Sequence, residues 1–162
     1  MPPITGRSFT DLLRNDLGRI AQLGSVRVPR LFELHELPTV WQMTSTVTAV
    51  TPPQRTLAEE FAALFPCGSV TGAPKIHAME LIDQLEPSKR GLYGGACGYL
   101  SFGGDMDVAI AIRTGIVKSG MLYVQAAAGV VADSIPEMEW QETEHKARAL
   151  LRAAELVEEG LQ

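Results

Sequence analysis

Cysteine, histidine and aromatic residues are all scarce in this sequence of 162 residues: two Cys, three His, and 6% Phe, Trp and Tyr together. Cys67 and Cys97 lie in apolar, glycine-rich stretches with no metal-ligand spacing between them. That excludes a disulfide framework and a zinc ribbon. Both read as reduced, buried thiols of a cytosolic chain, which sets a cytoplasmic expectation. No apolar run is long enough to span a bilayer and no signal-peptide pattern is present, so no membrane association is expected. Positive charge is not in excess either. The 14 Lys and Arg are interspersed among 19 Asp and Glu, for a net charge of −5. Without a basic stripe, nucleic acid is not an expected partner. Hydrophobic residues are plentiful at 46%, against 20% charged, which is a globular balance of a length suited to one domain.

The most informative stretch is Pro136 to Gly160, P-E-M-E-W-Q-E-T-E-H-K-A-R-A-L-L-R-A-A-E-L-V-E-E-G. Pro136 suits a first helical turn and Gly160 suits a left-handed stop, so the stretch predicts one long helix. At about 100° per residue Leu150, Ala153, Ala154 and Val157 share a face. Glu139, Glu142 and Lys146 fall in line with that apolar face. Carboxylates turned inward need a partner. A hard cation such as Mg²⁺, which takes carboxylate oxygens, would satisfy them; so would a simple Glu142–Lys146 pair one turn apart. Both readings stay open on these residues.

Elsewhere, residues 1–10 read as an irregular lead-in to a domain over 11–160. Thr10 is a candidate cap for a helix from Asp11 to Gly24 that buries Leu13, Leu17 and Ile20, with Asp16 beside them. Ser25–Val28 and Leu31–Leu34 read as short strands around Pro29. Thr39–Val50 reads as a β-branched strand with Gln42, Thr44, Thr46 and Thr48 on one polar face, either solvated or a pocket wall. Leu57–Phe65 reads as a short helix. P-C-G-S-V-T-G-A-P-K, residues 66–75, leads into a helix capped at Thr71 or Gly72. Its free N–H groups and Lys75 suit an anion, or are an ordinary helix start. That helix is expected to bury Ile76, Met79, Ile82 and Leu85. Residues 91–104 carry six glycines, and Gly94-Gly95 permits close backbone approach. Ala96–Phe102, Val108–Val117 and Leu122–Ala126 read as antiparallel strands with turns at Gly103-Gly104 and Ser119-Gly120. Arg113, inside an apolar strand, calls for an acid, either a ligand carboxylate or a structural partner. Gln125–Gly129, almost without side chains, suits a pocket wall made of backbone. The fold class is α+β.

L-L-R-N-D-L-G-R, G-S-V-T-G-A-P-K, Y-G-G-A-C-G-Y-L-S-F, M-D-V-A-I-A-I-R-T, A-G-V-V-A-D-S and E-x-x-E-T-x-x-K-A follow one another in this order. Together they resemble the chorismate-utilising enzymes, a family that includes anthranilate synthase component I, aminodeoxychorismate synthase component I and the isochorismate and salicylate synthases. The resemblance covers nearly all of residues 11–153. It implies part of the chorismate-binding fold, mainly antiparallel sheet with packed helices. It implies Glu142 as a Mg²⁺ ligand with Glu139 as its companion acid, and Lys146 as the group positioning substrate and water or ammonia. It implies Tyr93, Arg113 and the backbone of Ala127, Ala128 and Gly129 as the holders of chorismate's carboxylates, with Ser69 and Thr71 as hydroxyls lining the pocket. P-T-V-W-Q-M-T-S-T-V is most similar to aminodeoxychorismate synthases. The implied reaction is therefore amination of chorismate to 4-amino-4-deoxychorismate, with ammonia from a glutamine amidotransferase partner. The alternative is anthranilate formation, and an alternative of another class is an inactive remnant or interaction module.

The departures from the family pattern matter too. The family's Glu-His dipeptide, a further Mg²⁺ ligand, is replaced by Thr5-Gly6. Gln42 stands where many members have a catalytic histidine, and it cannot act as acid or base near neutral pH. Ala127 replaces a frequent glycine. The larger N-terminal part of the family's domain has no counterpart here. An isolated C-terminal portion would leave sheet edges and apolar helix faces uncovered. A homodimer, an N-terminal complementing chain or marginal stability is expected.

Overall fold

A computed structural model describes residues 5–38 and 40–160. They form two compact units, one running to Glu86 together with Leu100–Met106, the other Pro87–Tyr99 together with Asp107 onward.

In the first unit, helix α1 spans Thr5–Gly18. It begins before the expected start, so Thr10 is no cap: it sits inside the helix, 6% exposed. Of the expected stripe Ile20 is buried, but Leu13 is 36% exposed. Asp16, on the same side, is almost fully buried at 3%. The two strands expected around Pro29 are one, β1 (Arg27–Glu36), paired antiparallel with β2 (Trp41–Thr48). Two register shifts absorb the irregularity at Pro29 and at Phe32, whose φ is +56°. Thr39, the expected first residue of β2, lies outside the described residues. Helix α2 (Leu57–Leu64) starts from a capping box, Thr56 accepting from the Glu59 N–H while the Glu59 carboxylate accepts from the Thr56 N–H. Phe61 and Phe65 stack one turn apart with ring centroids 4.8 Å apart. A 3₁₀ turn, Gly68–Val70, leads to helix α3 (Lys75–Leu85). Its N-cap is Pro74, not Thr71 or Gly72, and no side chain caps it. The expected buried stripe of α3 lies open, with Ile76 68% and Leu85 77% exposed.

Mostly in the second unit, β3 (Ala96–Leu100) pairs with β4 (Met106–Ile110), their ends at Leu100 and Met106 belonging to the first, and β5 (Gly115–Lys118) pairs antiparallel with β6 (Met121–Val124). Gly98 is required where it stands, because a Cβ there would lie 2.0 Å from the Asp107 carbonyl oxygen. Ser119 and Gly120 take φ of +53° and +76°, the left-handed pair of a tight hairpin turn. The strand expected over Val108–Val117 is broken. After Ile110 the chain leaves the ladder, and Arg113 adopts φ +52°. The Gly94 N–H and the Ala111 carbonyl, and the Ala111 N–H and the Gly95 carbonyl, bond at 2.9 and 2.8 Å. This tie buries Ala111 and Gly94 and turns the backbone at 111–114 aside. Helix α4 spans Pro136–Glu158 with Pro136 in its first turn, and Gly160 follows at φ +84°. Leu150 on α4 lies near Gly115, and α4 packs against β6.

The core is slight. Among the described apolar residues only Ile20, Cys67 and Ala111 are buried. Cys97 is exposed, contrary to the expectation of two buried thiols, because its side chain stands on the open part of β3. No helix among the described residues is long and apolar enough to cross a membrane.

Candidate active site

The α4 helix brings its Glu142–Lys146 pair to the chain just before it, but Glu142 is exposed rather than turned inward as expected. Lys146 donates to the carbonyl oxygen of Ala127 at 2.9 Å and also holds the carboxylate of Glu142, one turn back on α4. The pair named as one possible reading of this helix therefore forms, and it carries a third member in the Gln125–Gly129 segment. Lys146 is largely covered, its side chain 25% exposed, whereas that of Glu142 is 51% exposed. The N–H groups of Ala127, Ala128 and Gly129 donate to no acceptor among the described residues. They are free donors in the same segment that holds the Lys146 ammonium, a chemistry compatible with a carboxylate.

Glu139 is held separately. Ser134 Oγ donates to Glu139 Oε1 at 2.7 Å. Ser134 Oγ also accepts from the Val131 N–H at 3.0 Å, and the Ser134 N–H returns a bond to the Val131 carbonyl at 3.0 Å. The turn 131–134 is thus a small frame that fixes the first acidic side chain of α4. Ser134 is a residue that the pattern of charges on α4 did not reveal. The signal available was a hydroxyl placed two residues before Pro136, within reach of the first helical turn. Glu139 and Glu142, three residues apart, share a face, and each keeps one carboxylate oxygen uncommitted. Two carboxylates fit a hard cation such as Mg²⁺, which uses one or two carboxylates plus substrate oxygens and water, and the Lys146 ammonium already paired with Glu142 is a charge such a cation would meet there. Among the described residues no larger cluster of His, Cys, Asp and Glu is poised to hold a metal.

Tyr93 is half-buried under the Arg90 guanidinium, 5.4 Å from the ring centroid. With Thr114, Tyr123 and Gln125 it lines a cavity of about 380 Å³ in the second unit. Gln125 carries this wall into the Gln125–Gly129 segment. Arg113 is exposed and meets no acid among the described residues, so the expected structural partner is absent.

The first unit holds the remaining candidates. Gln42 lies on β2 opposite His35 on β1 and is exposed. The polar face of β2 is shared with Arg30, Glu33 and His35, and His35 Nε2 lies 2.9 Å from Thr44 Oγ1. A face lined by these charges, with exposed side chains, is a solvated sheet surface within this unit. Thr71 is half-buried and donates to the Cys67 carbonyl at 2.9 Å, while Ser69 is exposed. Lys75 does not wait for an anion at the start of α3. It forms an ion pair of 2.8 Å with Asp16 and donates to the Ala63 carbonyl at 3.3 Å.

Helix α4 thus presents two carboxylates and a lysine beside the Gln125–Gly129 segment, in a chain whose sequence matches the chorismate binding enzymes. The chain belongs to that family, matching it over residues 7–152. It is 52% identical over 151 residues to anthranilate synthase component 1 of Neisseria meningitidis serogroup A strain Z2491, a match covering 93% of this chain and 31% of the relative. It is 47% identical over 152 residues to the same component of Pseudomonas aeruginosa PAO1, covering 94% and 31%. The crystal structure of anthranilate synthase component I from Streptococcus pneumoniae TIGR4 superposes with a TM-score of 0.82 at 50% identity, over 88% of this chain and 33% of that one. The chain thus has part of the α+β chorismate-binding fold. The chain spans about a third of the length of the relatives it matches.

Proposed function

We propose that this chain carries the chorismate-binding, Mg²⁺-dependent face of an anthranilate synthase component I reaction, in which chorismate is aminated on the ring and then loses pyruvate. The observation that carries the reading is the tie of Lys146 to both Glu142 and the Ala127 carbonyl. It places a cation, free N–H donors and an acidic helix side by side, which is what a dianionic substrate and a divalent cation require together. The relatives favour the anthranilate product over 4-amino-4-deoxychorismate, which the segment around Gln42 suggested. Glu139 and Glu142 would hold Mg²⁺, which when bound supplies Lewis-acid polarisation of the substrate. Lys146 orients one substrate carboxylate while remaining paired with Glu142. The N–H groups of Ala127, Ala128 and Gly129 receive a carboxylate, and Arg113 supplies a bidentate partner for another. In this reading Ser69 and Thr71, both in the first unit, supply hydroxyls to the substrate. Ammonia comes from a glutamine amidotransferase partner in this reading.

Calorimetric titration of chorismate into the folded chain, with and without Mg²⁺, tests it. Binding that needs Mg²⁺ and disappears in Glu142→Ala is the expected result; a folded chain that takes up no heat overturns it. Incubation with chorismate and ammonium salts then separates the two products, since anthranilate is fluorescent and the aminated diene is not.

A further inference from the structure

The Asp16–Lys75 ion pair is the most deeply buried charged contact described in the molecule. Asp16 is 3% exposed, and its side chain meets Lys75 Nζ at 2.8 Å through Oδ1. Its Oδ2 is buried with no hydrogen-bond partner. A buried carboxylate this poorly satisfied needs a reason to be there. The surroundings supply one. Lys75 opens α3, Asp16 sits on α1, and the Lys75 ammonium also donates to Ala63 at the end of α2. Between them runs the turn from Cys67 to Thr71. Gly68 in that turn packs on α1 so closely that a Cβ would lie 3.1 Å from Leu12 Cβ. Thr71 Oγ1 closes the turn on the Cys67 carbonyl. Cys67, at its head, is buried beside both charges.

We propose that Asp16 and Lys75 are positioning residues, tying three helices around the Cys67–Thr71 turn and so fixing where Ser69 and Thr71 stand. The part of this concerning substrate rests on the reading of those hydroxyls given above. The tie itself does not. Lys75 touches no substrate in this arrangement; it acts through the turn.

The test uses the full chain carrying Cys97→Ser, so that Cys67 is its one thiol. N-ethylmaleimide labelling of Cys67 reports opening of the turn, and chorismate titration with Mg²⁺ reports the site. Lys75→Met is expected to speed labelling about tenfold or more, as loss of a charged hydrogen bond does to a local opening equilibrium. Electrostatics alone would act the other way. The Lys75 charge lowers the thiol pKa, so its removal by itself slows labelling. Chorismate affinity is expected to fall by a similar factor. Ser69→Ala is expected to weaken binding in the parent and to add nothing in the Lys75→Met chain, the non-additivity of residues acting through one another. The Asp16→Asn/Lys75→Met double variant leaves no buried charge unpaired and serves where a single variant does not fold. Its labelling is expected to be faster than the parent's as well.

Unchanged labelling in all folded variants overturns the tie. Faster labelling with unchanged affinity, or losses from Ser69→Ala and Lys75→Met that simply multiply, overturns the positioning role and leaves a structural pair. A parent chain that labels slowly but binds no chorismate overturns the functional reading of the turn, and the labelling of the variants then decides the tie alone.

Discussion

Ser134 Oγ lies 2.7 Å from Glu139 Oε1 and accepts from the Val131 N–H, so the first acidic side chain of α4 is oriented by a turn outside the helix. A carboxylate held in this way loses less rotamer freedom when it takes up a cation. Removal of the hydroxyl should therefore weaken cation binding without removing any ligand.

Ser134→Ala is expected to reduce the apparent Mg²⁺ affinity about tenfold or more, the usual size of a loss one step behind a metal ligand. Titration of Mg²⁺ at saturating chorismate measures it. An unchanged Mg²⁺ dependence would mean that Glu139 needs no orientation, or holds no cation.

Lys146 separates binding from stability. Its partner Glu142 is half exposed, so the ion pair contributes under about 1 kcal/mol to folding. Lys146→Met should shift the urea midpoint little. The same substitution removes the cation beside the free N–H groups of 127–129 and should weaken chorismate binding at least about tenfold. Equal losses in both measurements would show that the lysine serves the fold.

The α4 helix was legible because Pro136 and Gly160 mark its ends and because Glu139, Glu142 and Lys146 repeat at helical spacing. The Ser119-Gly120 hairpin was legible through its turn residues. Arg113 was not: V-A-I-A-I-R-T has uninterrupted strand character, and what ends the strand is a backbone tie to Gly94 and Gly95 far back in the chain. The role of Lys75 was hidden for the same reason, since its partner Asp16 lies on another helix. The apolar stripe of α3 is present, but of its residues only Ile82 is half-buried, while Ile76, Met79 and Leu85 are exposed. Periodicity reports that a face is apolar, not what lies against it.

Cys67 carries a pH dependence. Burial pushes its thiol up from the ordinary 9.0, with the neighbouring Lys75 charge opposing the rise and the Asp16 charge adding to it. The folded chain therefore holds the thiol proton more tightly than the unfolded chain. This contribution to stability is complete below pH 9.0 and is lost as pH rises through the folded value. Urea midpoints measured through that window should fall more steeply in the parent than in Cys67→Ala. Parallel slopes would show that the thiol titrates alike in both states.

Gly98 tests the β3–β4 ladder. A Cβ there meets the Asp107 carbonyl oxygen at 2.0 Å and the Val108 Cα at 2.7 Å. Both are backbone atoms of the paired strand, which cannot swing aside as the end of a long side chain can. Gly98→Ala should therefore force the strands apart and cost about 2 kcal/mol or more. Gly103→Ala provides the contrast. Its nearest neighbours are the Ser101 and Asp105 side-chain oxygens at 3.5 and 3.6 Å, ordinary contacts that leave the ladder intact. Chemical denaturation of the two variants should place Gly98→Ala well below the parent and Gly103→Ala close to it. A Gly98→Ala chain as stable as the parent would mean that β3 and β4 do not approach as closely in solution. The burial of Gly94, whose N–H is tied to the Ala111 carbonyl in line with the same ladder, would then need another support.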